Sequence, residues 1–179
     1  MTWHSTPPVI TALYAQMMPA SGGNTIFANQ HVAYDTLDEA TKSRIDSLMV
    51  RHSGKIFGPD VPDSVHPVVL TQDESGNKAL FVNPNSATYV EGMEENESLL
   101  LLYRLMAHSD RPEFTYRHAW NVGDLVLWDN RSVMHYAIND YTKTRIMYRI
   151  TVKGGKPVRP QRYLAPSYQP TGTRCLHPP

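Results

Sequence analysis

Residues 124–149 read DLVLWDNRSVMHYAINDYTKTRIMYR, and this stretch predicts three successive β-strands. The apolar run 125–128 has the length of a strand, and residues 129–132 have the composition of a tight turn. An extended pattern resumes at 133–136, and the β-branched and aromatic residues 145–152 predict the third strand. The order is therefore strand, corner, strand, polar turn, strand.

Three side chains of this stretch are candidates for chemistry. His135 lies on the second predicted strand, and Arg145 and Arg149 lie four residues apart on the third. An even spacing places both arginines on the same face of a strand. One imidazole and two guanidiniums on adjacent strands predict a pocket for a metal ion and a small dianion. A lone strand histidine is more often structural and strand arginines are more often solvated, so the rest of the chain has to support this interpretation.

The remainder of the chain predicts further strands and two helices. Five segments have strand length and are separated by turn residues, and the segment 9–18 is apolar enough to predict a buried strand. Thr36 and Glu39 fit a capping box, which predicts a helix that continues to about Val50. The five strand segments are 9–18, 24–29, 66–71, 78–83 and 113–120, and the second predicted helix is 94–108.

Composition excludes several classes of protein. The 179 residues are 41% hydrophobic and 19% charged, a globular balance, and the formal net charge is zero. A neutral chain gives no indication of a nucleic-acid or acidic-membrane partner. Its longest apolar run, 99–102, is far too short to span a bilayer, and the N-terminus lacks the pattern of a signal peptide.

The single Cys175 excludes an intrachain disulfide and fits a reducing compartment, so we expect a cytoplasmic protein. We expect one domain over residues 1–157 and a proline-rich C-terminal tail over residues 158–179.

Several motifs together resemble the iron(II)/2-oxoglutarate-dependent dioxygenases of the taurine dioxygenase and 2,4-dichlorophenoxyacetate dioxygenase family. Residues 3 to about 157 carry the resemblance. It implies an oxidoreductase with a mainly β fold, a double-stranded β-helix (jelly-roll) barrel with helices outside. The motifs are W-H at 3–4, G-G-N-T at 22–25, H-P-V-V at 66–69, W-D-N-R-x-x-x-H-Y-A at 128–137 and R-x-x-x-R at 145–149.

The resemblance also implies roles for individual residues and two cofactors, Fe(II) and the co-substrate 2-oxoglutarate. His4 and His135 are then metal ligands. Thr25 and Arg145 hold the far carboxylate of 2-oxoglutarate, and Arg149 binds the anionic substrate or the co-substrate. His66 and His118 are interpreted as structural. Residues 51–65 are a candidate lid, and residues 83–88 are candidates for the substrate pocket.

The chain departs from the family at its first motif. The family has an aspartate two residues after the histidine, whereas Thr6 follows His4 at that spacing. The simplest account is a short deletion, and the chain also resembles an N-terminally truncated, incomplete barrel. A two-histidine site could still hold iron with water in the vacancy. It could also hold iron with a halide beside Thr6, as in related halogenases, or with another nearby carboxylate.

Three hypotheses follow. The first is a dioxygenase that oxidises a small, anionic organic molecule and releases succinate and carbon dioxide. The second is a remnant or pseudoenzyme that keeps only carboxylate binding. The third is a fragment or an incorrectly assigned gene start. The expected partner is a small-molecule substrate, with no nucleic acid and no membrane, and the sequence leaves a homo-oligomer open.

Overall fold

A computed structural model describes residues 2–160, and within this range the protein is mainly β, as predicted. The described residues contain eleven strands and three α-helices, with short 3₁₀ turns at Lys55–Phe57 and Pro112–Phe114. The elements are β1 (Ile10–Met17), β2 (Thr25–Asn29), α1 (Gln30–Asp35), α2 (Glu39–Ile45), β3 (Met49–His52), β4 (Ser64–Pro67), β5 (Val69–Thr71), β6 (Lys78–Leu80), β7 (Ala87–Val90), α3 (Glu95–Ser109), β8 (Thr115–His118), β9 (Leu125–Asp129), β10 (Val133–Ala137) and β11 (Ile146–Val152).

The strands form three antiparallel sheets of three strands each and one hairpin. The first sheet has the order β11-β1-β9, the second β10-β2-β8 and the third β4-β3-β7, and β5 pairs with β6. The three strands predicted for residues 124–149 are confirmed as β9, β10 and β11. These sheets remain open within residues 2–160, so the jelly-roll barrel stays a prediction from the resemblance.

The expectation that His135 and the arginines lie on adjacent strands is wrong. β10, which carries His135, pairs with β2, whereas β11, which carries Arg149, pairs with β1. The chain changes sheets at the corner between β9 and β10 and again after β10. His135 and Arg149 therefore belong to different sheets.

The first two sheets contact each other through aromatic side chains. Trp128 of β9 lies with its ring centroid 5.2 Å from that of Phe27 in β2 and 4.7 Å from that of His135 in β10. Edge-on and tilted aromatic pairs at such distances stabilise an interface beyond the area that they bury. The inner faces of the two sheets are defined by this contact.

A hydrophobic cluster holds the third sheet, the β5-β6 hairpin and the helices together. Each fully buried aliphatic or aromatic side chain contributes about 1.5–3 kcal/mol relative to an exposed one. The cluster fixes the segment that follows β6, which forms a wall of the site described below. Its members are Ala33, Tyr34, Ile45, Val50, Val68, Val69, Leu80, Val82, Val90, Leu101, Leu102, Leu105 and Phe114.

The first predicted helix differs from the observed structure at both ends. α2 begins after Asp38, whose carboxylate accepts a hydrogen bond from the Thr41 amide at 2.8 Å, so Thr36 is not its cap. Thr36 instead ends a separate helix, α1, by donating its hydroxyl to the Val32 carbonyl at 2.8 Å. α2 ends at Ile45. Residues 49–52 instead form β3, because they pair with β4 and β7.

β1 is only half buried, which corrects the prediction of a buried strand. Thr11 and Ala15 are buried on its inner face, whereas Tyr14 and Met17 are 38% and 46% exposed. The apolar composition of this strand was interpreted as burial on both faces, and the outer face remains open to solvent within the described residues.

The first residues of the predicted tail are attached to the domain. The Val158 carbonyl accepts a hydrogen bond from the Thr71 amide of β5 at 3.1 Å. The division of the chain at residue 157 stays a prediction, and residues 161–179, with Cys175, lie outside the described residues. Within residues 2–160, none of the helices combines the length and the apolar character needed to cross a membrane.

Candidate active site

A cavity of about 400 Å³ lies between the first sheet, the second sheet, the N-terminal segment and residues 80–86. Its lining includes His135 of β10 and Arg149 of β11, so two of the side chains predicted from the sequence meet here. The predicted pocket segment also contributes, through Asn83, Asn85 and Ser86. Of these groups, His135, Asn83 and Asn85 also border a neighbouring cavity of about 450 Å³, whereas Arg149 and Ser86 line the first cavity and not that one.

His135 lies opposite Phe27 in the pairing of β10 with β2 and lines the cavity. The residue as a whole is exposed, while its ring packs against aromatic neighbours. The aromatic rings of Trp128 and Phe27 lie 4.7 Å and 6.4 Å from it. Desolvation by these surroundings lowers the pKa of His135, and the positive charge of Arg149 lowers it further. A neutral imidazole keeps a nitrogen lone pair free, which is the form that binds a metal ion.

Arg145 lies apart from this cavity, just before β11 and beside Gly23. Its guanidinium carbon lies 5.8 Å from the ring centroid of Tyr141. The Nε and Nη2 atoms of Arg145 are buried and have no hydrogen-bond partner among the described residues. A buried, permanently charged group with free donors is costly unless an anion completes it.

The G-G-N-T motif allows the loop before β11 to approach β2. Gly23 has φ +71°, and a Cβ there would lie 3.2 Å from both the Arg145 Cδ and the Tyr141 Cδ1. Its amide donates to the Asp140 carboxylate at 2.7 Å. At Gly22 a Cβ would lie 2.7 Å from the Asp140 carbonyl oxygen. The two glycines therefore make room for the loop that carries Arg145.

Thr25 follows this motif and is buried on β2. Its hydroxyl oxygen accepts a hydrogen bond from the Trp120 indole at 2.9 Å. That bond uses a lone pair, so the hydroxyl proton can still be donated. Thr25 lies two residues after Gly23, at the side of the second sheet that Arg145 approaches.

His4 lies outside the cavity lining and its side chain is exposed, although the neighbouring Trp3 lines the cavity. The segment is held by backbone contacts. The His66 Nε2 lies 2.7 Å from the Thr2 carbonyl and 2.9 Å from the His4 carbonyl, and the Ser64 hydroxyl donates to the Trp3 carbonyl at 2.7 Å. His66 thus binds backbone rather than a ligand.

Among residues 2–160, no group of three or more His, Cys, Asp or Glu side chains is placed to hold a metal ion. Residues 2–160 therefore do not bring His4, His135 and a carboxylate together as one metal site. His118, the rival histidine, lies with Nε2 3.2 Å from the Asp124 carboxylate and with its ring 4.5 Å from Trp120. These contacts fit the structural role expected for His118.

The predicted lid, residues 51–65, contributes one aromatic side chain to the lining of the cavity. Phe57, in the short 3₁₀ turn of that segment, stacks on Trp3 with ring centroids 4.3 Å apart and lines the cavity. A lid function for the rest of the segment stays a prediction.

Asn130 is a site residue that the sequence interpretation missed. Its amide nitrogen donates to the Thr11 hydroxyl at 2.8 Å and to the Pro8 carbonyl at 3.2 Å, and its oxygen accepts from the Trp128 indole at 2.9 Å. Asn130 therefore ties the segment after His4 to the corner that precedes His135. The sequence analysis placed Asn130 in a turn and in the W-D-N-R motif but gave its side chain no role, because turn composition does not show which distant groups it contacts.

His52 was also missed. It is completely buried, and its Nδ1 lies 3.0 Å from the Ser86 hydroxyl, which in turn lies 2.6 Å from the Thr2 hydroxyl. Burial is the main cause that lowers the pKa of His52 to about 3, and the nearby His66 contributes. The chain of contacts connects the wall of the cavity to the core.

Comparison with known proteins supports the resemblance seen in the motifs. The profile described as taurine catabolism dioxygenase TauD, TfdA family matches residues 1–151. The chain belongs to the TauD/TfdA family. The family assignment inferred from the sequence motifs is thereby confirmed.

Two curated TauD/TfdA relatives illustrate the similarity. The α-ketoglutarate-dependent 2,4-dichlorophenoxyacetate dioxygenase of Burkholderia sp. (strain RASC) is 36% identical over 172 residues, which cover 85% of this chain and 58% of that protein. The α-ketoglutarate-dependent sulfate ester dioxygenase of Pseudomonas putida is 33% identical, with 88% of this chain and 61% of that protein covered. The chain thus spans about three-fifths of the length of these relatives.

Solved structures of TauD/TfdA proteins are similar as well. A taurine dioxygenase from Burkholderia xenovorans superposes with a TM-score of 0.83 at 34% identity, covering 87% of this chain and 56% of that one. AAD-2, solved in complex with Mn(II) and N-oxalylglycine, superposes with a TM-score of 0.80 at 32% identity, covering 87% of this chain and 67% of that one. The similarity extends over most of the described residues.

Proposed function

We propose that this chain binds 2-oxoglutarate and, with iron(II), oxidises a small anionic organic substrate with release of succinate and carbon dioxide. The observation that carries the proposal is the Arg145 guanidinium, whose buried Nε and Nη2 have no partner among the described residues. The guanidinium fork matches a carboxylate in two charge-assisted hydrogen bonds. Arg145 is therefore assigned to the far carboxylate of 2-oxoglutarate, with Thr25 as its partner.

The residues present match the iron site of the family only in part. His135 offers a neutral imidazole to the cavity, and His4 is the second candidate ligand. A facial triad also needs a carboxylate, and the described residues do not place one with these histidines. The side chains present thus do not complete the iron site of the family. In the family, iron and 2-oxoglutarate together supply the oxidant, and the protein supplies binding and orientation.

The substrate class is proposed from the cavity. Arg149 places a positive charge in its wall, and Phe57, Phe81 and Met134 give it apolar surface. Met134 and His135 also border a second cavity of about 450 Å³. This combination suits a small molecule with one anionic group and an apolar body. The two curated relatives, whose names give a phenoxyacetate and sulfate esters as substrates, agree with this class.

A second candidate function is carboxylate binding without oxidation. It is favoured by one observation, the lack of a three-residue metal cluster within residues 2–160. Arg145 and Thr25 would then bind the co-substrate, but turnover would not follow. Both candidates share 2-oxoglutarate binding and differ in iron binding and in succinate formation.

The first test is calorimetric titration of the purified full chain with 2-oxoglutarate under anaerobic conditions, with and without iron(II). Arg145→Ala removes two charge-assisted hydrogen bonds worth about 1.5–3 kcal/mol each, or about 3–6 kcal/mol together, so we expect the Kd for 2-oxoglutarate to rise by at least roughly 100-fold. Arg104→Ala, the same change on the exposed face of α3, is the matched control and should leave the Kd unchanged. A folded chain that fails to bind 2-oxoglutarate contradicts both candidates.

The second test separates the candidates. In the anaerobic iron(II) and 2-oxoglutarate titration, the visible charge-transfer band of the chelate should appear, and it should be lost in His135→Ala. On admission of oxygen, succinate should form. Binding of 2-oxoglutarate with neither band nor succinate would favour the second candidate.

A further inference from the structure

Trp120 is a buried aromatic residue two positions after the end of β8, and its indole makes a directed polar contact. The residue is 7% exposed, and the indole Nε1 donates a hydrogen bond to the Thr25 hydroxyl oxygen at 2.9 Å. An indole N–H is a donor only, so the direction of this hydrogen bond is fixed. The function proposed above gives Thr25 a role in binding 2-oxoglutarate but gives Trp120 none.

The direction of this bond decides what the Thr25 hydroxyl can do. A threonine hydroxyl has one proton to donate and two lone pairs that accept. Because the indole uses a lone pair, the Thr25 proton is left for an acceptor other than Trp120. Thr25 is buried on the middle strand of the second sheet, so this acceptor has to lie inside the protein or on a bound ligand.

Arg145 brings further hydrogen-bond donors to the same end of β2. A Cβ at Gly23, two residues before Thr25, would lie 3.2 Å from the Arg145 Cδ. The Nε and Nη2 atoms of Arg145 are buried without a partner among residues 2–160. An ionised carboxylate only accepts hydrogen bonds, so it is the ligand group that suits a guanidinium beside a hydroxyl donor.

Contacts on both sides of Trp120 hold its ring in place. His118, which lies opposite Thr25 in the pairing of β8 with β2, meets the Trp120 ring edge-on at 4.5 Å and 87°. The Asp124 carboxylate lies 3.2 Å from the His118 Nε2 and accepts from the Asn121 amide at 2.8 Å. Asp124 thus ties the residue that packs on Trp120 to the residue that follows it in the chain.

We propose that Trp120 is a positioning residue for 2-oxoglutarate, which acts by orienting the Thr25 hydroxyl proton toward the far carboxylate. This inference rests on the proposed function, because it requires 2-oxoglutarate to bind at Thr25 and Arg145. Hydrogen bonds in series polarise each other, so Thr25 is a stronger donor while it accepts from the indole. A hydroxyl that is already oriented also loses less freedom when the ligand binds.

The test is a double-mutant cycle, measured by anaerobic calorimetric titration of the full chain and iron(II) with 2-oxoglutarate. Trp120→Phe keeps an aromatic ring but removes the N–H, so we expect the Kd to rise roughly 3- to 10-fold. In a Thr25→Val background the same change should leave the Kd unaltered, because the hydroxyl on which it acts is gone. A merely structural Trp120 would raise the Kd equally in both backgrounds.

Tyr89→Phe is the matched control. It removes one hydrogen-bond donor from an aromatic ring of the third sheet, where the Tyr89 hydroxyl donates to the Met93 carbonyl at 2.7 Å. We expect this variant to bind 2-oxoglutarate with the wild-type Kd. Circular dichroism checks that each variant is folded.

A second measurement uses the wild-type chain and does not require Trp120→Phe to fold. The chain has three tryptophans and therefore three indole N–H resonances in a proton–nitrogen NMR spectrum, which Trp3→Phe and Trp128→Phe assign. Saturation of the metal-free chain with 2-oxoglutarate should shift the Trp120 resonance, because the hydrogen bond to Thr25 strengthens when Thr25 donates to the carboxylate. The shift should be absent in Thr25→Val.

The outcomes separate this proposal from the proposed function. If the wild-type chain binds 2-oxoglutarate, an unchanged Kd in Trp120→Phe, or an equal rise in both backgrounds, overturns the role of Trp120 without contradicting the proposed function. A Trp120 resonance that does not move in the saturated chain does the same. A folded wild-type chain that fails to bind 2-oxoglutarate overturns both, because there is then no carboxylate to position.

Discussion

Asn130 joins three segments through one side chain. Its amide contacts the Pro8 carbonyl, the Thr11 hydroxyl and the Trp128 indole. In Asn130→Ala the Pro8 carbonyl, the Thr11 hydroxyl and the Trp128 indole lose this hydrogen-bond partner, and all three contacts are partly buried. We therefore expect the free energy of unfolding to fall by about 2–3 kcal/mol. Urea unfolding at neutral pH measures it.

The matched control is Asn96→Ala on the exposed first turn of α3, where the amide contacts Glu94 at 3.3 Å. We expect a loss below about 0.5 kcal/mol there. Equal losses in the two variants would show that the Asn130 contacts have no special weight.

His52 makes stability depend on pH. Its pKa is lowered from 6.5 to about 3 in the folded protein, mainly by burial. The unfolded chain therefore takes up a proton first as the pH falls. The stabilisation from neutral His52 is complete above pH 6.5 and is lost as the pH falls toward about 3.

Between pH 6.5 and pH 5, the loss from His52 should reach about 2 kcal/mol in the free energy of unfolding. Urea unfolding at several pH values measures it. The pKa of His66 is also lowered, mainly by burial, and acts in the same direction. His52→Gln should therefore make the pH dependence shallower without abolishing it. An unchanged slope in this variant would contradict the assignment.

At the level of the elements, the start of α2 gives a direct test of which residue caps it. Asp38 accepts from the Thr41 amide, so Asp38→Ala should lower the free energy of unfolding by about 1 kcal/mol. A capping box from Thr36 would instead require the Glu39 carboxylate to bond back. We therefore expect Glu39→Ala to cost less than about 0.5 kcal/mol, and chemical unfolding of both variants decides between the two caps.

The sequence predicted β9, β10 and β11 because their β-branched and aromatic residues favour strands whatever they pack against. It failed at residues 46–50, which were predicted to continue the helix because Leu48 and Met49 also fit one face of a helix with Ile45. Pairing of β3 between β4 and β7 decided that segment, and such pairing depends on residues distant in the sequence. α1 was missed because its cap, Asn29, also ends a strand.

At the candidate site, too, the sequence predicted some residues, and it missed those whose role depends on distant segments. The motif resemblance predicted His135 and Arg149, which meet in one cavity. It did not predict that they lie on separate sheets, or that Asn130 and His52 support the cavity. The contribution of a buried polar residue depends on which distant segment folds against it, and local composition does not contain that information.

For the molecule as a whole, the attachment of the chain at Val158 predicts where the domain can be shortened. A chain that ends at residue 157 loses the acceptor for the Thr71 amide, whereas one that ends at residue 160 keeps it. We expect the shorter chain to be less stable by about 1 kcal/mol. For a protein of this size that is a fall of roughly 2–4 °C in Tm, measurable by calorimetry. Equal Tm values would support a domain boundary at residue 157.

The positions of the aromatic residues have an optical consequence. All three tryptophans of the chain lie at the candidate site: Trp3 lines the cavity, Trp120 contacts Thr25 and Trp128 contacts His135. Indole emission therefore arises from this region alone, and the third sheet and the helices contribute none. A change in tryptophan fluorescence without a change in secondary structure would report rearrangement around the cavity while the rest of the protein stays folded.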